Sequence, residues 1–521
     1  MSIFYTRRLR INTSHMIIIR EEKLPTASII VKMLLRTVLA ASFIFYIQAD
    51  LLQILVDPDT QRLIDTLGRE VLIHGTNIVI KEFPWHPKTK GFAQDTFSEE
   101  DMKFMKSLGL NGVRLGMMWP GLVPRKGEFN ETYLNTMVGL VTKAAKYGIY
   151  ILLDMHQDVM SHRFCVEGFP DWTINPEIAK SFPFPLHKPY KLDPTTNLPN
   201  SADCSRFSWA TYYLTEAVGQ SFENLYTNVN GLRDEWAKFW VKTAQTFKNH
   251  ANVMGYELIN EPWAGNVYRN PTLLLPTIAD QRNLAPAYDA LAKAIRAVDD
   301  KHCIFFEPVT WDDFSVGFTK VPGGDSYQNR SVLSYHYYIP PDFNANLNFD
   351  VRIRDLEKLR CGGMLTEYAT HTESSSDEMF KVMRDADLTY QSWLGWEYYG
   401  SKRTTSESPI ARIYNTSRTY PQAVAGHVLD LNFDHHTNYF RVLYQISEKC
   451  RSKTTVIYVN EKLHYPDGYD VTLESTGHVT WYSKETDYIV VEHGSALKPG
   501  DNVLVHIIPK KTKIRTDATL V

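Results

Sequence analysis

Two glutamates far apart in the chain stand where acid–base chemistry could be done. Glu261 sits in Asn260-Glu261-Pro262, behind the apolar run Val253–Ile259, and Glu367 sits in Leu365-Thr366-Glu367-Tyr368, behind Gly363–Leu365. Each run reads as a β-strand, so each glutamate ends one. Cleaving a glycosidic bond needs one carboxyl to hold a proton for the leaving oxygen. It needs another to carry negative charge to the sugar carbon. A retaining double displacement sets the two about 5–5.5 Å apart. The expected roles are nucleophile for Glu367 and acid/base for Glu261. Mutual repulsion would keep Glu261 protonated until Glu367 is esterified. Glu261 would then ionise and deprotonate water. Asn-Glu-Pro alone is a weak signal; its place on a strand end, three strands before a second glutamate, strengthens it.

Something must bring those strand ends together. Eight strand-like runs recur: Val71–Ile80, Gly112–Trp119, Tyr150–Met155, Val253–Ile259, Cys303–Glu307, Val332–Tyr338, Gly363–Tyr368 and Trp393–Tyr399. Helical spacing follows most of them, in Ser98–Leu108, Tyr133–Tyr147, Leu232–Phe247 and Ala287–Val298. Strand–helix alternation repeated eight times predicts an α/β fold, a (β/α)8 TIM barrel over residues 50–408. No Gly-rich nucleotide loop follows the first strand, which disfavours an open doubly wound sheet. Glu261 and Glu367 would then share the carboxyl rim of one barrel. A long insertion, residues 159–231, interrupts the third unit and far exceeds the usual connection of about 2–6 residues. Its many aromatics, Trp172 and Trp209 among them, would mostly pack its own small core, and some could receive a hydrophobic aglycone. Over residues 409–521 alternating strands take over: Tyr439–Gln445, Thr455–Val459, His478–Tyr482, Tyr488–Glu492 and Asn502–Ile507. This predicts a C-terminal antiparallel β-sandwich packed on the barrel.

Composition is that of an ordinary globular protein, with 44% hydrophobic and 22% charged residues. The formal charge of −3, without a basic block, argues against nucleic acid as a partner. Residues 1–49 read as a leader followed by a secretory signal peptide. The stretch from Met33 has a basic start, an apolar centre and a small residue, Ala49, at a cleavage point. An uncleaved signal anchor is the rival reading. The expected location is therefore the secretory pathway, ending secreted or lysosomal, or tethered to a membrane if the anchor stays. Of five cysteines, Cys165 and Cys204 could staple the insertion, while Cys303 and Cys361 sit in strand runs where buried free thiols are expected. Asn130, Asn329 and Asn415 stand in Asn-x-Ser/Thr tripeptides, candidate glycosylation sites.

Further motifs carry a resemblance. Asn260-Glu261-Pro262, Arg114 in Gly-Val-Arg-Leu, His156 in Asp-Met-His-Gln-Asp and His336-Tyr-Tyr338 resemble glycoside hydrolase family five. Trp119-Pro-Gly-Leu-Val-Pro, Asn260-Glu-Pro-Trp-Ala-Gly265 and Gly395-Trp-Glu-Tyr-Tyr-Gly400 look like its endoglycoceramidases. The resemblance covers about residues 55–510. It implies release of an intact glycan from the ceramide of a glycosphingolipid, with retention and without metal or cofactor. It also implies a substrate met at a membrane or micelle surface, with an activator protein or detergent as an open question. It places Arg114 beside Glu367, where a cation favours the ionised carboxyl. Tyr338 would donate to Glu367, and His336 would tune the pair. Asn260 would bind the sugar 2-hydroxyl, and His156 the first sugar's hydroxyls. Trp396 would floor the sugar next to the cleaved bond, and Lys81 and Asp158 would bind glycan hydroxyls. Two other functions remain open at this point. One is a related glucosyl- or galactosylceramidase, or another β-glucosidase or glucanase, with the same pair and different loops. The other is a silent glycolipid-binding protein on the same scaffold, which need not keep both glutamates.

Overall fold

The computed structural model describes residues 51–310, 314–339, 341–370, 376–401 and 413–511. The leader and signal expected in residues 1–49 lie outside them. Among the described residues no helix is long and apolar enough to cross a membrane.

The described chain begins with three short strands, β1 (Ile54–Asp57), β2 (Arg62–Asp65) and β3 (Glu70–Val71). Eight parallel strands follow: β4 (His74–Ile78), β5 (Gly112–Gly116), β6 (Tyr150–Asp154), β7 (Val253–Glu257), β8 (Cys303–Phe306), β9 (Ser331–Tyr337), β10 (Gly362–Tyr368) and β11 (Ser392–Gly395). They close into a barrel in that order, β11 pairing β4 through Trp393 and His74. Every residue of β4 to β8 is buried, because each strand has barrel core on one side and helices on the other. That double burial is why these strands read as apolar runs rather than alternating ones.

The strands are shorter than their runs. β7 stops at Glu257, so Glu261 lies four residues past the strand instead of ending it. β5 stops before Trp119, which opens a helical turn, and β11 stops before Tyr398, which opens another. Apolar residues continue past each strand because the loops at this rim are buried too. Glu367, by contrast, lies inside β10.

Past the barrel come β12 (Tyr420–Val424), β13 (His427–Asp434), β14 (Tyr439–Gln445), β15 (Thr454–Tyr458), β16 (Tyr469–Ser475), β17 (Val479–Glu485), β18 (Tyr488–His493) and β19 (Asn502–Pro509). They form two antiparallel sheets around a shared core that includes Val428, Phe440, Val442, Ile457, Val491 and Val505. The sandwich is not purely C-terminal. β1, β2 and β3 extend its larger sheet, with Val71 opposite Ala423. Val71 therefore belongs to the sandwich rather than to the first barrel strand. The same hairpin caps the amino-terminal mouth of the barrel, where Ile54, Val56 and Leu63 pack on Leu152, Phe305, Val332 and Met364. Gly362 is required there, since a Cβ would meet Val56 Cγ2 at 2.8 Å.

The insertion forms short helices tied by a Cys165–Cys204 disulfide, with Cα atoms 5.3 Å apart. Cys303 and Cys361 are buried free thiols. Some insertion aromatics pack on one another, Phe182 meeting Phe164, Tyr190 and Tyr212 with ring centres 5.0–5.7 Å apart. Phe169 and Trp172 pack instead on Trp119, and Tyr213 on Trp263, so the insertion's core is continuous with that of the barrel. Trp209 stays 47% exposed. Closing a 39-residue loop removes chain entropy worth about 4 kcal/mol. Cys204→Ser should therefore lower the thermal midpoint measurably while leaving the far-ultraviolet circular dichroism of the barrel intact.

Candidate active site

The site is built around one side chain. Arg114, on β5, points into the barrel and is completely buried. Four carboxylates surround it. It donates through Nε to Glu257 on β7, and through Nη1 to Glu367 Oε1 at 2.5 Å. Nη2 lies 3.1 Å from Asp154 on β6 and 3.4 Å from Glu307, which follows β8. Nη1 also donates to Asn77 Oδ1 at 3.0 Å, and Nη2 to Asn260 Oδ1 at 2.8 Å. One planar donor fork thereby ties six barrel positions to a single geometry.

Glu367 receives a second donor, the Tyr338 hydroxyl, at 2.9 Å to Oε2. His336 Nδ1 lies 2.9 Å from Glu261 Oε1 and 3.7 Å from Glu367 Oε2, with Nε2 facing Glu307 at 3.4 Å. Ligand atoms of Glu261, His336 and Glu367 all fall within 4.8 Å of one another. Among the described residues this is also the cluster with metal-binding potential, but the Arg114 guanidinium already supplies a cation to Glu367. Carboxyl oxygens of Glu261 and Glu367 within 4.8 Å of each other fit the close, retaining arrangement of about 5–5.5 Å better than the water-mediated inverting one of about 6.5–9.5 Å.

Glu261 is held by its backbone. Its φ is +40°, a left-handed value that costs a non-glycine residue about 1–3 kcal/mol. Its N–H donates to Glu307 Oε2 at 3.0 Å, while its carbonyl accepts from Gln157 Nε2 at 3.0 Å and the Tyr213 hydroxyl at 3.4 Å. Burial pushes its carboxyl up to about 7, with the charge of Asp158 second. The expectation that Glu367 repulsion does this is corrected: burial leads, because the Glu261 side chain lies in a pocket and is only 17% exposed. Burial likewise raises Glu257 and Glu307, against the lowering pull of the Arg114 charge. Burial lowers His336 and would lower His156, but Asp154 at 2.8 Å from its Nδ1 lifts His156 to about 9.

These groups line a cavity of about 540 Å3. One contiguous part of its wall is charged. Lys81 pairs with Asp158 and, at 3.2 Å, with Glu167, and its ammonium lies 5.0 Å from the Trp396 ring centre. Burial opposes the Lys81 charge, yet the two carboxylates hold its pKa above the usual value. Trp396 stacks on His156 at 5.2 Å between ring centres. The lining also includes the aromatic and apolar Trp209, Tyr213, Trp263, Pro308, Val309 and Pro341, together with Thr310, Asp342 and Arg352; Tyr213 stacks on Trp263 at 5.4 Å. All ten residues singled out from the sequence thus meet here: Arg114 beneath the pocket, and Lys81, His156, Asp158, Asn260, Glu261, His336, Tyr338, Glu367 and Trp396 in its wall. Asn260 keeps one of its amide hydrogens on the Gln157 carbonyl at 3.0 Å, which leaves the second for a ligand.

Asp154, Glu257 and Glu307 were not foreseen as site residues. A signal existed: each is a carboxylate in or at the end of an otherwise apolar strand run. The candidate glycosylation asparagines lie elsewhere. Asn130 caps the helix Glu131–Lys146, Asn329 lies in a short helical segment before β9, and Asn415 lies half-buried before β12.

The geometry makes a prediction that needs no substrate. Glu261 should titrate near pH 7, and Asp158→Asn, which removes a neighbouring negative charge, should move it downward. Carboxyl-carbon NMR of glutamate-labelled protein checks this; an unmoved resonance would refute the coupling.

Comparison with known proteins agrees with this layout. Residues 71–401 match the model of cellulase (glycosyl hydrolase family 5), and residues 418–507 match the glycoside hydrolase family 5 C-terminal domain. An endoglycoceramidase of Hydra vulgaris is 55% identical over 445 residues, covering 84% of this chain and 86% of that protein. One from Cyanea nozakii is 51% identical over 475 residues, covering 88% and 94%. Among solved structures, endo-glycoceramidase II from Rhodococcus sp., in its complex with ganglioside GM3, superimposes with a TM-score of 0.68 at 21% identity. That match covers 86% of this chain and 99% of that one. The chain is therefore a glycosidase of glycoside hydrolase family 5 and belongs to its endoglycoceramidase family.

Proposed function

We propose that this glycosidase cuts the bond between the glycan and the ceramide of glycosphingolipids and releases the glycan intact, with retention. The observation that carries this is the Glu261–Glu367 pair, with carboxyl oxygens within 4.8 Å, in a cavity lined both by charged groups and by aromatic and apolar side chains. An amphiphilic substrate asks for both. The relatives named endoglycoceramidase and the ganglioside complex of the Rhodococcus enzyme support the same substrate class.

Glu367, oriented by Arg114 and Tyr338, attacks the anomeric carbon. Glu261, protonated below about pH 7, gives its proton to the leaving ceramide oxygen. The new ester removes the Glu367 charge, and Glu261, now a base, takes a proton from the water that hydrolyses the ester. The lone amide hydrogen of Asn260 serves the 2-hydroxyl of the reacting sugar. Lys81, His156 and Asp158 bind glycan hydroxyls over Trp396. The apolar wall receives the first part of ceramide, the rest staying in a membrane or micelle.

Synthesis in the secretory pathway is part of the proposal. The apolar segment after Met33 and the Cys165–Cys204 disulfide support it, since disulfides persist where conditions oxidise. Sequencing the mature amino terminus of the secreted protein tests this; a start upstream of Met33 would remove the cleavage idea.

Mass spectrometry of products from a mixed glycosphingolipid pool tests the reaction. Intact oligosaccharide with ceramide is expected; monosaccharide alone, from simple cerebrosides only, would redirect the reading to a cerebrosidase. Glu367→Gln should abolish turnover. Glu261→Gln should lose about 10²–10⁴-fold on natural substrates, yet recover on aryl glycosides whose leaving groups need no acid. Turnover should also fall as pH rises through about 7, where Glu261 loses its proton; a profile flat to pH 9 contradicts its acid role. Glu307→Ala, which orphans the Glu261 N–H, should cost about 1–3 kcal/mol, read as a drop in kcat of about 10–100-fold, with Glu307→Gln milder.

A further inference from the structure

A second cleft opens on the same rim of the barrel. It encloses about 350 Å3, and its walls include Trp85, Arg125, Lys126, His162, Asp171 and Trp172. These residues come from the loops after β4, β5 and β6, so the cleft faces the end of the barrel that holds the active pocket. Two of those loops also carry the charged wall of that pocket. They touch at Lys81 and Asp158, and they touch again four residues on, where the rings of Trp85 and His162 are 5.7 Å apart. Four residues reach at most about 14 Å. The second cleft therefore starts within the span of a short oligosaccharide from the first.

Its chemistry suits a sugar. Trp85 and Trp172 offer aromatic faces. The Trp172 ring is fixed by its N–H donation to the Val123 carbonyl at 3.1 Å and by an edge contact with Trp119. Asp171 lines the cleft, and its Oδ1 accepts no hydrogen bond among the described residues. Arg125 and Lys126 are exposed, and Arg125 pairs with Glu128 at 3.3 Å in an exposed pair that holds it weakly.

We propose that this cleft is a distal glycan subsite that takes an outer, acidic sugar of the headgroup. The sugar ring stacks on Trp85 and Trp172, a hydroxyl donates to Asp171, and Arg125 with Lys126 meets the sugar carboxylate. This rests on the glycosphingolipid reading above and adds headgroup selectivity to it.

The test compares kcat/KM of the full-length enzyme and two variants, Trp85→Ala and Arg125→Ala/Lys126→Ala, on three substrates. These are an aryl β-lactoside, a neutral glycosphingolipid with a four-sugar headgroup and a sialylated one. Both variants should match wild type on the aryl lactoside, which also shows that they fold. Trp85→Ala should lose about tenfold on the sialylated lipid, through KM. The exposed double variant should lose about as much there and little on the neutral lipid. Equal kcat/KM on the sialylated lipid for wild type and both variants overturns the subsite. So does a loss of the same size on the aryl lactoside. If wild type cleaves the lactoside and no ceramide-linked glycan, the functional reading falls first and the subsite with it.

Discussion

Everything in the catalytic layer depends on the buried guanidinium of Arg114. Four carboxylates crowd one fully buried cation, an arrangement that water would otherwise disperse. Such a cluster survives only if charge is balanced inside it, because an unpaired buried charge costs several kcal/mol. Two devices provide the balance. Burial raises Glu257 and Glu307 toward their neutral forms, and Asp154 shares its charge with His156, which stays protonated to about pH 9. What remains is a cation whose Nη1 faces Glu367. The nucleophile is thereby given its orientation by the barrel interior, not by its own flexible side chain.

The acid/base carboxyl obeys a different rule. Glu261 belongs to no strand, and its position is set by three backbone hydrogen bonds: its N–H donates to Glu307, and its carbonyl accepts from Gln157 and Tyr213. Its left-handed backbone turns the side chain over the pocket toward His336. The insertion contributes here through Tyr213, so the segment that walls the apolar side of the cavity also steadies the proton donor. Position of the acid and shape of the aglycone wall are thus set by one segment, and the Cys165–Cys204 bond braces it. The sandwich enters less directly. Its β1–β2 hairpin packs Ile54, Val56 and Leu63 into the amino-terminal mouth of the barrel.

Much of this was legible in the residues, but unevenly. The barrel was, because strands buried on both faces must be apolar throughout and their helices must show a 3.6-residue stripe. The strands β14, β15, β17, β18 and β19 were, through alternation and turn signals. β16 was passed over although Tyr469, Val471 and Leu473 alternate along it and pack, half-buried, on the sandwich core. β1 to β3 were not legible, since strands of two to four residues give no periodicity and the strand that joins them to the sandwich, β12, lies more than 300 residues away from β3. Asp154, Glu257 and Glu307 escaped because a lone acid in an apolar run does not announce its partner.

By itself, the sequence determined the barrel, the two glutamates and the set of residues around them. Side-chain type and burial pattern are local properties, and each motif carries its own chemistry. Only the tertiary structure decided that Glu261 sits past its strand on a left-handed turn, that burial and not Glu367 holds its proton, and that amino-terminal strands complete the sandwich. Those depend on distances between segments remote in the chain. No local pattern encodes which carboxylates will share one arginine, because that follows from closure of the barrel.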